Sequence, residues 1–560
     1  MSTTTKPWNY LIVTAANDQQ AQAYEFQIQK RRESGDLPPV RHCLVIPDIE
    51  GKRIGSGGST LQCLQHVLEL EGDGAGTRSF EEAEAVLRGL RILIVHAGGD
   101  SRRLPAYSHC GKMFVPVPNA THPAVASTLF DRLVPPFLAL PETPAGQVVV
   151  ASGDALILFD ASAVQLSRPG ITALGGYASA EEAAHHGVFC ADREGFVRLY
   201  LQKPKREAQA AAGALNEAGQ SVLDLGVMSM DASAAVQFMR TFFQQRPPEH
   251  GEPALVWRPE VRDALLAHGI DLYREVCCAL GTDTTDEQYL DSLRASGSRV
   301  AGAVVAEWFP RLHKIPLNLQ ILPDCQFLHF GTTRQLITSG LALLTEDAGR
   351  PIETTSFILN SEIHGEITAQ HAWIEGCSIA AGLVLEGFNA VVGVDIIEPL
   401  KLPKGACLDL SAGLSHKGEA VWFVRCYDID DTFKHSVAAG GTICGMTFPK
   451  WLDAMGMSAS DIWPPEVPEA ERTLWNARVF PAEKEHGEFR NWMWLYQVES
   501  ATADQKRRFR AADRYSAAEI AVNVDPSKFH ARRSAFRSGE RRQASPECLQ
   551  SGNPCAVECG

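Results

Sequence analysis

The sequence predicts an α/β protein with a mostly parallel sheet, followed by a β-solenoid region. Two patterns carry this expectation. Through the first half, short β-rich apolar runs (Tyr10 to Thr14, Arg91 to His96 and Val148 to Ala151) alternate with helical or loop stretches. That alternation lays parallel strands side by side with helices on both faces, and ligands then bind beyond the carboxyl ends of the strands. After about residue 350 the period changes: Ile367, Trp373, Ile379, Leu385 and Val391 follow one another at steps of six through a glycine-dotted, helix-poor stretch. Six is neither 3.6 nor 2; it is the period of hexapeptide solenoids, in which each repeat places one apolar residue inside a prism. The alternative is a β-rich linker whose spacing carries no structural meaning.

These patterns set the expected boundaries: an α/β domain over 1–345, a hexapeptide-like β-helix over 346–400, a β-rich or mixed region over 401–533, and a polar, basic tail over 534–560 with no fixed structure. The third region is rich in tryptophan, with Trp422, Trp451, Trp463, Trp475, Trp492 and Trp494. A chain of 560 residues with 45% apolar and 21% charged residues has ample material for several buried cores. Its net charge of −15, from 52 basic and 67 acidic residues, is the wrong sign for a protein that neutralises many phosphates of a nucleic acid. No apolar run approaches the ~18–20 residues that span a bilayer, and Met-Ser-Thr-Thr-Thr-Lys lacks the apolar stretch of a signal peptide. A cytosolic protein with no nucleic-acid or membrane partner is expected. Its 14 cysteines include no CxxC pair, so buried, reduced thiols are expected.

The densest chemical signal follows the run Arg91 to His96. There the chain reads Ala97-Gly98-Gly99-Asp100-Ser101-Arg102-Arg103-Leu104-Pro105, with Lys112 nine residues after Arg103. Paired glycines at a strand end let backbone N–H groups approach a phosphate, because no Cβ intervenes. Two arginines and a lysine add fixed positive charge. Attack of one anion on the triphosphate of another is slow until those charges are neutralised, so the cluster suits phosphoryl or nucleotidyl transfer. Gly98, Gly99, Ser101 and Arg102 are the candidates for holding nucleotide phosphates, and Arg103 and Lys112 for catalysis. An ordinary glycine-rich turn with solvated basic residues is the bland alternative.

Three further sites stand out. Ile54-Gly55-Ser56-Gly57-Gly58-Ser59-Thr60 precedes an apolar-periodic stretch, so the amides of Gly57 and Gly58 could face an anion at a helix N-terminus, or the loop could be a structural turn. Val148 to Asp154 reads as a buried strand that delivers a carboxylate at its tip, where Asp154 could bind Mg²⁺ together with phosphates and water, or cap a helix. Asp224-Leu225-Gly226-Val227 offers either a carboxylate that accepts hydrogen bonds or a turn residue.

The segment Gly98 to Lys112 resembles the signature of the sugar-1-phosphate nucleotidyltransferases, Gly-Gly-x-x-x-Arg-Leu-x-Pro followed about ten residues later by lysine, with Pro105 one residue early. More narrowly, Ile54 to Thr60, His96 to Lys112 and His329-Phe330-Gly331-Thr332-Thr333 resemble the fucose-1-phosphate guanylyltransferases and the pyrophosphorylase portion of bifunctional fucokinase/GDP-fucose pyrophosphorylases. The likeness continues through Asp428-Ile429-Asp430-Asp431 and Asp461-Ile462-Trp463.

The resemblance implies a Rossmann-like nucleotidyltransferase domain and a reaction of GTP with L-fucose 1-phosphate to give GDP-L-fucose and pyrophosphate. It implies Mg²⁺ on Asp154. It also implies a sugar-phosphate-binding set of Lys203, in Gln202-Lys203-Pro204, with Asp224, Gly57 and Gly58. Gln202 stands where the family has Glu. His329 stands where many members have a second metal-binding Asp, which leaves Asp324 or no protein ligand for that place. Two other readings follow from the family: a fucokinase activity, for which no phosphate loop is found after residue 400, and an inactive regulatory or scaffold subunit. A homo-oligomer or an association with a fucokinase domain is compatible with either.

Overall fold

Apolar runs without polar alternation have to be covered on both faces, and three such runs, Tyr10 to Thr14, Arg91 to His96 and Val148 to Ala151, form the heart of the first half of the protein. The computed structural model describes residues 6–72, 79–99, 101–119, 127–153, 155–246, 254–349 and 355–537. They fall into two units, Met1–Gly99 with Phe130–Phe327, and Asp100–Leu129 with Leu328–Gly560. The second unit thus takes in the segment that follows Gly99 in sequence.

In the first unit, β1 (Trp8–Ala15), β2 (Val40–Pro47), β3 (Arg91–His96) and β4 (Gln147–Ser152) pair in parallel in the order β2-β1-β3-β4. The side chains of β1, β3 and β4 alternate between two buried faces, and β2 at the edge is only partly buried. Tyr10, Ile12, Ile92, Ile94, Val148 and Val150 join Leu61, Leu64, Val67 and Leu68 of helix α2 (Gly55–Glu71) in one core. Leu11, Val13, Leu93, Val95 and Val149, pointing the other way, are also wholly buried. Helix α1 (Asp18–Ser34), capped by the Asn17 side chain on Gln20 N–H, follows β1. The parallel registers Ala15↔Pro47 and His96↔Ser152 bring the carboxyl ends of these strands to one edge of the sheet.

The rest of the sheet corrects the expectation of a mostly parallel arrangement. Among the described residues it has nine strands. The added ones are β5 (Ile171–Ser179), β6 (Gly187–Ala191), β7 (Val197–Gln202), β8 (Gln220–Met230) and β9 (Leu317–Leu322). β8 runs antiparallel to β4, β5 and β6, and β6 antiparallel to β7, while β9 is parallel to β5. The few residues between Ala191 and Val197 cannot make the long crossover that parallel neighbours need, so β6 and β7 form a hairpin.

The second unit contains three parallel ladders. One joins Phe357–Leu359, Ala372–Glu375, Asn389–Val392 and Ala406–Leu414. The next joins Glu362–Ile363, Ser378–Ile379 and Asp395–Ile396, and the last Ile367–Ala369, Leu383–Leu385 and Leu400–Leu402. Partners lie sixteen or seventeen residues apart, as in Phe357↔Trp373 and Trp373↔Ala390. The six-residue series visits the ladders in rotation: Ile367 on the last, Trp373 on the first, Ile379 on the next, then Leu385 and Val391. Trp373, Ile379 and Val391 are wholly buried and Leu385 is nearly so.

Beyond Leu414 the direction reverses. Ala420–Asp428 pairs antiparallel with Ala406–Leu414, and Phe480–Glu483 and Arg514–Tyr515 extend the sheet. Trp451, Trp463 and Trp492 are buried here. A last helix, Pro526–Arg537, continues past the point where fixed structure was expected to end, and the remaining tail lies outside the described residues. Among the described residues no helix is long and apolar enough to cross a membrane.

If the six-residue positions point inward, truncating one is costly and truncating an outward neighbour is not. Ile379→Ala is expected to lower unfolding free energy by about 2–5 kcal/mol, and Val384→Ala, 38% exposed, by no more than about 0.5 kcal/mol. Denaturant titration of both variants measures this; equal losses would contradict the assignment.

Candidate functional site

Gly98, Gly99 and Gly153 follow the carboxyl ends of the parallel strands β3 and β4. A Cβ on Gly153 would lie 2.8 Å from the His96 carbonyl oxygen, which already accepts the Gly153 N–H at 2.9 Å, so only glycine fits where β4 leaves the sheet. Asp154, the expected metal ligand, lies outside the described residues. Gly98 passes close to Ala16, whose N would be 3.4 Å from an added Cβ. Gln20 ties the exits of β1 and β3 together: its Oε1 accepts from Ala16 N at 2.7 Å and its Nε2 donates to the Gly99 carbonyl at 3.0 Å. The Tyr24 hydroxyl donates to the Ala97 carbonyl at 2.7 Å. Gly98 is half-buried and Gly99 exposed, so the pair is held by its neighbours at the surface of this unit.

Gly57 and Gly58 require a correction. Both amides donate to the carbonyl of Ile270, at 2.8 and 3.1 Å, so they are not open to an anion. An added Cβ would meet Ile270 O at 3.0 Å from Gly57 and Leu265 Cδ1 at 2.4 Å from Gly58. These glycines are small because another backbone lies against them. Their neighbours make a polar cluster at the ends of β2 and β3 that the sequence did not reveal. Asp48 accepts from the Ser59 hydroxyl at 2.6 Å, and burial raises its carboxyl to about 6. Thr60 Oγ1 lies 3.0 Å from His96 Nε2, and burial pushes that imidazole down to about 4, so it is neutral at pH 7.

Asp224 is also more structural than expected. It is 5% exposed and accepts from the Tyr200 hydroxyl at 2.8 Å on one oxygen and from Gly226 N–H at 2.7 Å on the other. It sits where the register of β8 against β5 shifts, between Asp224 and Met228. The carboxylate therefore shapes this bulge, and the bulge brings Gly226 against Ser152 at the end of β4. Lys203 is exposed, and its backbone is in the left-handed region at φ 51°, a strained conformation for a residue with a Cβ.

In the second unit, Ser101 through Lys112 form one closed loop. Ser101, 1% exposed and left-handed at φ 42°, accepts the Lys112 N–H on its hydroxyl at 3.0 Å. Its carbonyl accepts Leu104 N–H at 2.9 Å. Leu104, Tyr107, Met113 and Phe114 are buried beneath the loop, whereas Arg103 is exposed and Lys112 half-buried. The Arg102 guanidinium carbon lies 6.0 Å from the centre of the Trp475 ring. The Arg103 carbonyl accepts the Thr333 N–H at 3.2 Å, and a Cβ on Gly331 would stand 3.7 Å from Arg103 Nη2. The His329 to Thr333 turn thus packs on Arg103, with Thr332 capping the helix Thr333–Ala348.

Among the described residues, no group of three or more His, Cys, Asp or Glu side chains converges to hold a metal ion. His329 is half-buried in the second unit, and Asp324 is exposed in the first.

Burial raises the Asp224 carboxyl to about 6, against the lowering effect of its hydrogen bonds from Gly226 and Tyr200. The folded protein therefore holds this proton more tightly than the unfolded chain. The stability it contributes is full at low pH and is lost as pH rises through about 6. Asp224→Asn cannot titrate, so the melting temperature of wild type minus that of the variant is expected to fall between pH 4 and pH 7. Melts across that range test this; a difference that stays constant or grows with pH would contradict it.

Residues 84–485 match the model of the fucose pyrophosphorylase domain. The chain is 26% identical over 582 residues to the bifunctional fucokinase/GDP-fucose pyrophosphorylase of Arabidopsis thaliana, covering 92% of this chain and 51% of that protein. It is 25% identical to the L-fucokinase/L-fucose-1-P guanylyltransferase of Bacteroides fragilis, covering 88% of this chain and 48% of the relative. It is 24% identical to the fucose-1-phosphate guanylyltransferase of Mus musculus, over 85% of this chain and 83% of that one. The chain thus spans about half the length of the bifunctional relatives. With the domain match running through the strand β3, the closed Ser101–Lys112 loop and the parallel ladders, the chain belongs to the fucose pyrophosphorylase domain family.

Proposed function

We propose that the chain transfers the guanylyl group of GTP to L-fucose 1-phosphate, giving GDP-L-fucose and pyrophosphate. The observation that carries this reading is the closed loop: Arg102, Arg103 and Lys112 stand on a short irregular segment whose backbone is fixed by Ser101 and by a buried apolar underside. Cations carried on a held backbone need less reorganisation as charge develops, which suits them to a triphosphate. The names of the relatives, which include fucose-1-phosphate guanylyltransferase, supply the sugar and the nucleotide.

In the reaction, a phosphate oxygen of the sugar phosphate attacks the α-phosphorus of GTP in line. The bond from the α-phosphorus to the oxygen bridging to the β-phosphate breaks, and that oxygen leaves with the electron pair as part of pyrophosphate. The attacking phosphate is already ionised, so no general base is needed. Arg103 and Lys112 neutralise the charge gathering on pyrophosphate. Gly98, Gly99 and Arg102 hold the nucleotide phosphates and Lys203 holds the attacking phosphate, whereas Ser101, expected among the phosphate-holding residues, is buried and closes the loop instead. Asp224 supports the bulge beside Ser152 rather than taking sugar hydroxyls itself. A Mg²⁺ ion, held by Asp154 with phosphate and water oxygens, would supply further neutralisation, consistent with the preference of this ion for few protein ligands.

The segment 346–400 is read in the same proposal as turns of a β-solenoid. The three ladders with offsets of sixteen or seventeen residues, and the inward rotation of Trp373, Ile379, Leu385 and Val391, support this.

Pyrophosphate release from GTP and L-fucose 1-phosphate tests the activity. Lys112→Ala and Asp154→Ala are each expected to lower kcat by about 10²–10³. Turnover near wild type in both variants would remove the mechanism, and wild-type protein that releases no pyrophosphate would remove the activity.

A further inference from the structure

The loop that carries Arg103 and Lys112 has no regular secondary structure beyond two short helical turns, Pro105–Tyr107 and Lys112–Phe114. Its centre is Tyr107. The Tyr107 N–H donates to the Leu104 carbonyl at 3.0 Å, next to Arg103, and the Tyr107 carbonyl accepts the amides of Cys110 and Gly111 at 3.2 and 3.0 Å, next to Lys112. One residue therefore fixes the backbone between the two cations.

Tyr107 is in turn fixed by residues distant in sequence. Its ring is 1% exposed. The hydroxyl accepts the indole N–H of Trp373 at 2.8 Å and donates to Glu375 Oε2 at 3.3 Å. Burial and the neighbouring Glu375 charge keep the phenol protonated. Trp373 and Glu375 belong to one strand of the first parallel ladder. Glu375 is wholly buried, and its other oxygen accepts from Asn360 Nδ2 at 2.8 Å. A carboxylate in that position needs a countercharge. The Arg533 guanidinium of the helix Pro526–Arg537 provides it by pairing with Glu375 Oε2.

The same helix reaches the loop through Phe529. Its ring lies under the Arg533 guanidinium at 3.3 Å and meets His109 edge-on at 4.1 Å and Tyr107 at 6.4 Å between ring centres. Beside it, Arg532 pairs with Asp395. The helix is thus held by two ion pairs to the ladders and by aromatic contact to the loop.

We propose that Tyr107 is the positioning residue for Arg103 and Lys112, and that the helix Pro526–Arg537, acting through Arg533 and Glu375, is a working part of the transferase. This rests on the reading of the loop as the group that handles the departing pyrophosphate. Loss of the tyrosine hydroxyl frees the loop from the ladder while leaving the ring in place. Loss of Arg533 leaves Glu375 buried without its countercharge and loosens the same contact from the other side. Both displace the cations without removing them.

The test is steady-state pyrophosphate release by wild type, Tyr107→Phe, Arg533→Ala, Arg533→Lys and the double variant Tyr107→Phe/Arg533→Ala, with the melting temperature of each recorded. Each of the first two variants is expected to lower kcat by about ten- to a hundredfold, the range for a small misplacement of catalytic groups, with KM for L-fucose 1-phosphate within about twofold of wild type. Arg533→Lys, which keeps the charge facing Glu375, is expected to recover most of kcat. The double variant is expected to be no slower than the slower single variant, because both changes break one chain of contacts.

Tyr107→Phe removes a single oxygen atom and carries the test if Arg533→Ala does not fold. An active wild type with folded variants whose kcat is within twofold would overturn the inference and leave the proposed activity standing. So would a loss confined to KM for the sugar phosphate, or a loss that Arg533→Lys does not reverse. A wild type without turnover would instead remove the reading on which the inference rests.

Discussion

A cation on an irregular loop acts on a phosphate only to the extent that the loop is held. Here one hydrogen bond closes it: the Ser101 hydroxyl accepts the backbone amide of Lys112. Without that closure the chain between them would have only its turns to define it, and the two cations would pay side-chain and backbone entropy each time they met a ligand. The closed loop places apolar residues below and charged ones above, since Leu104, Tyr107, Met113 and Phe114 are buried while Arg103 is exposed. Packing and electrostatics thus share a single backbone path.

Two candidate site residues are among the non-glycine residues with positive φ. Ser101 and Lys203 are both in the left-handed backbone region, at φ 42° and 51°, a conformation that costs a residue with a Cβ about 1–3 kcal/mol and persists only where its surroundings impose it. At Ser101 the surroundings are its own two hydrogen bonds, to Leu104 and Lys112. At Lys203 the backbone N–H is held by the His186 carbonyl. Asp224 shows the opposite outcome. Both of its oxygens are engaged by Tyr200 and Gly226, so a residue with the right chemistry for sugar recognition is taken up in supporting a bulge.

Much of this was legible in the sequence wherever the determining forces are local. The run Arg91 to His96 is a strand with the expected bounds, because a continuous apolar stretch flanked by glycines has few other options. The steps of six from Ile367 to Val391 fall on strands of the three ladders in rotation, and Trp373, Ile379, Leu385 and Val391 are buried. What the sequence concealed is non-local. Whether the Gly57 and Gly58 amides are open depends on Ile270, more than two hundred residues away. The antiparallel entry of Gln220–Met230 depends on which strand it meets rather than on its own residues. Nothing near Tyr107 in the sequence marks it, because its partners Trp373 and Glu375, and the Arg533 that pairs with Glu375, come from two distant segments. Asp48 lacked a signal for the same reason: nothing near it in sequence announces the Ser59 hydroxyl or the burial that raises its carboxyl.

The central claim is that Arg103 and Lys112 neutralise pyrophosphate, and binding of that ion alone reports on it without any turnover. Calorimetric titration of inorganic pyrophosphate into wild type and into an Arg103→Met/Lys112→Met variant of equal stability makes the comparison. The account predicts that the variant binds at least about tenfold more weakly, as loss of charge-assisted hydrogen bonds requires. Equal affinity in the two proteins would contradict it.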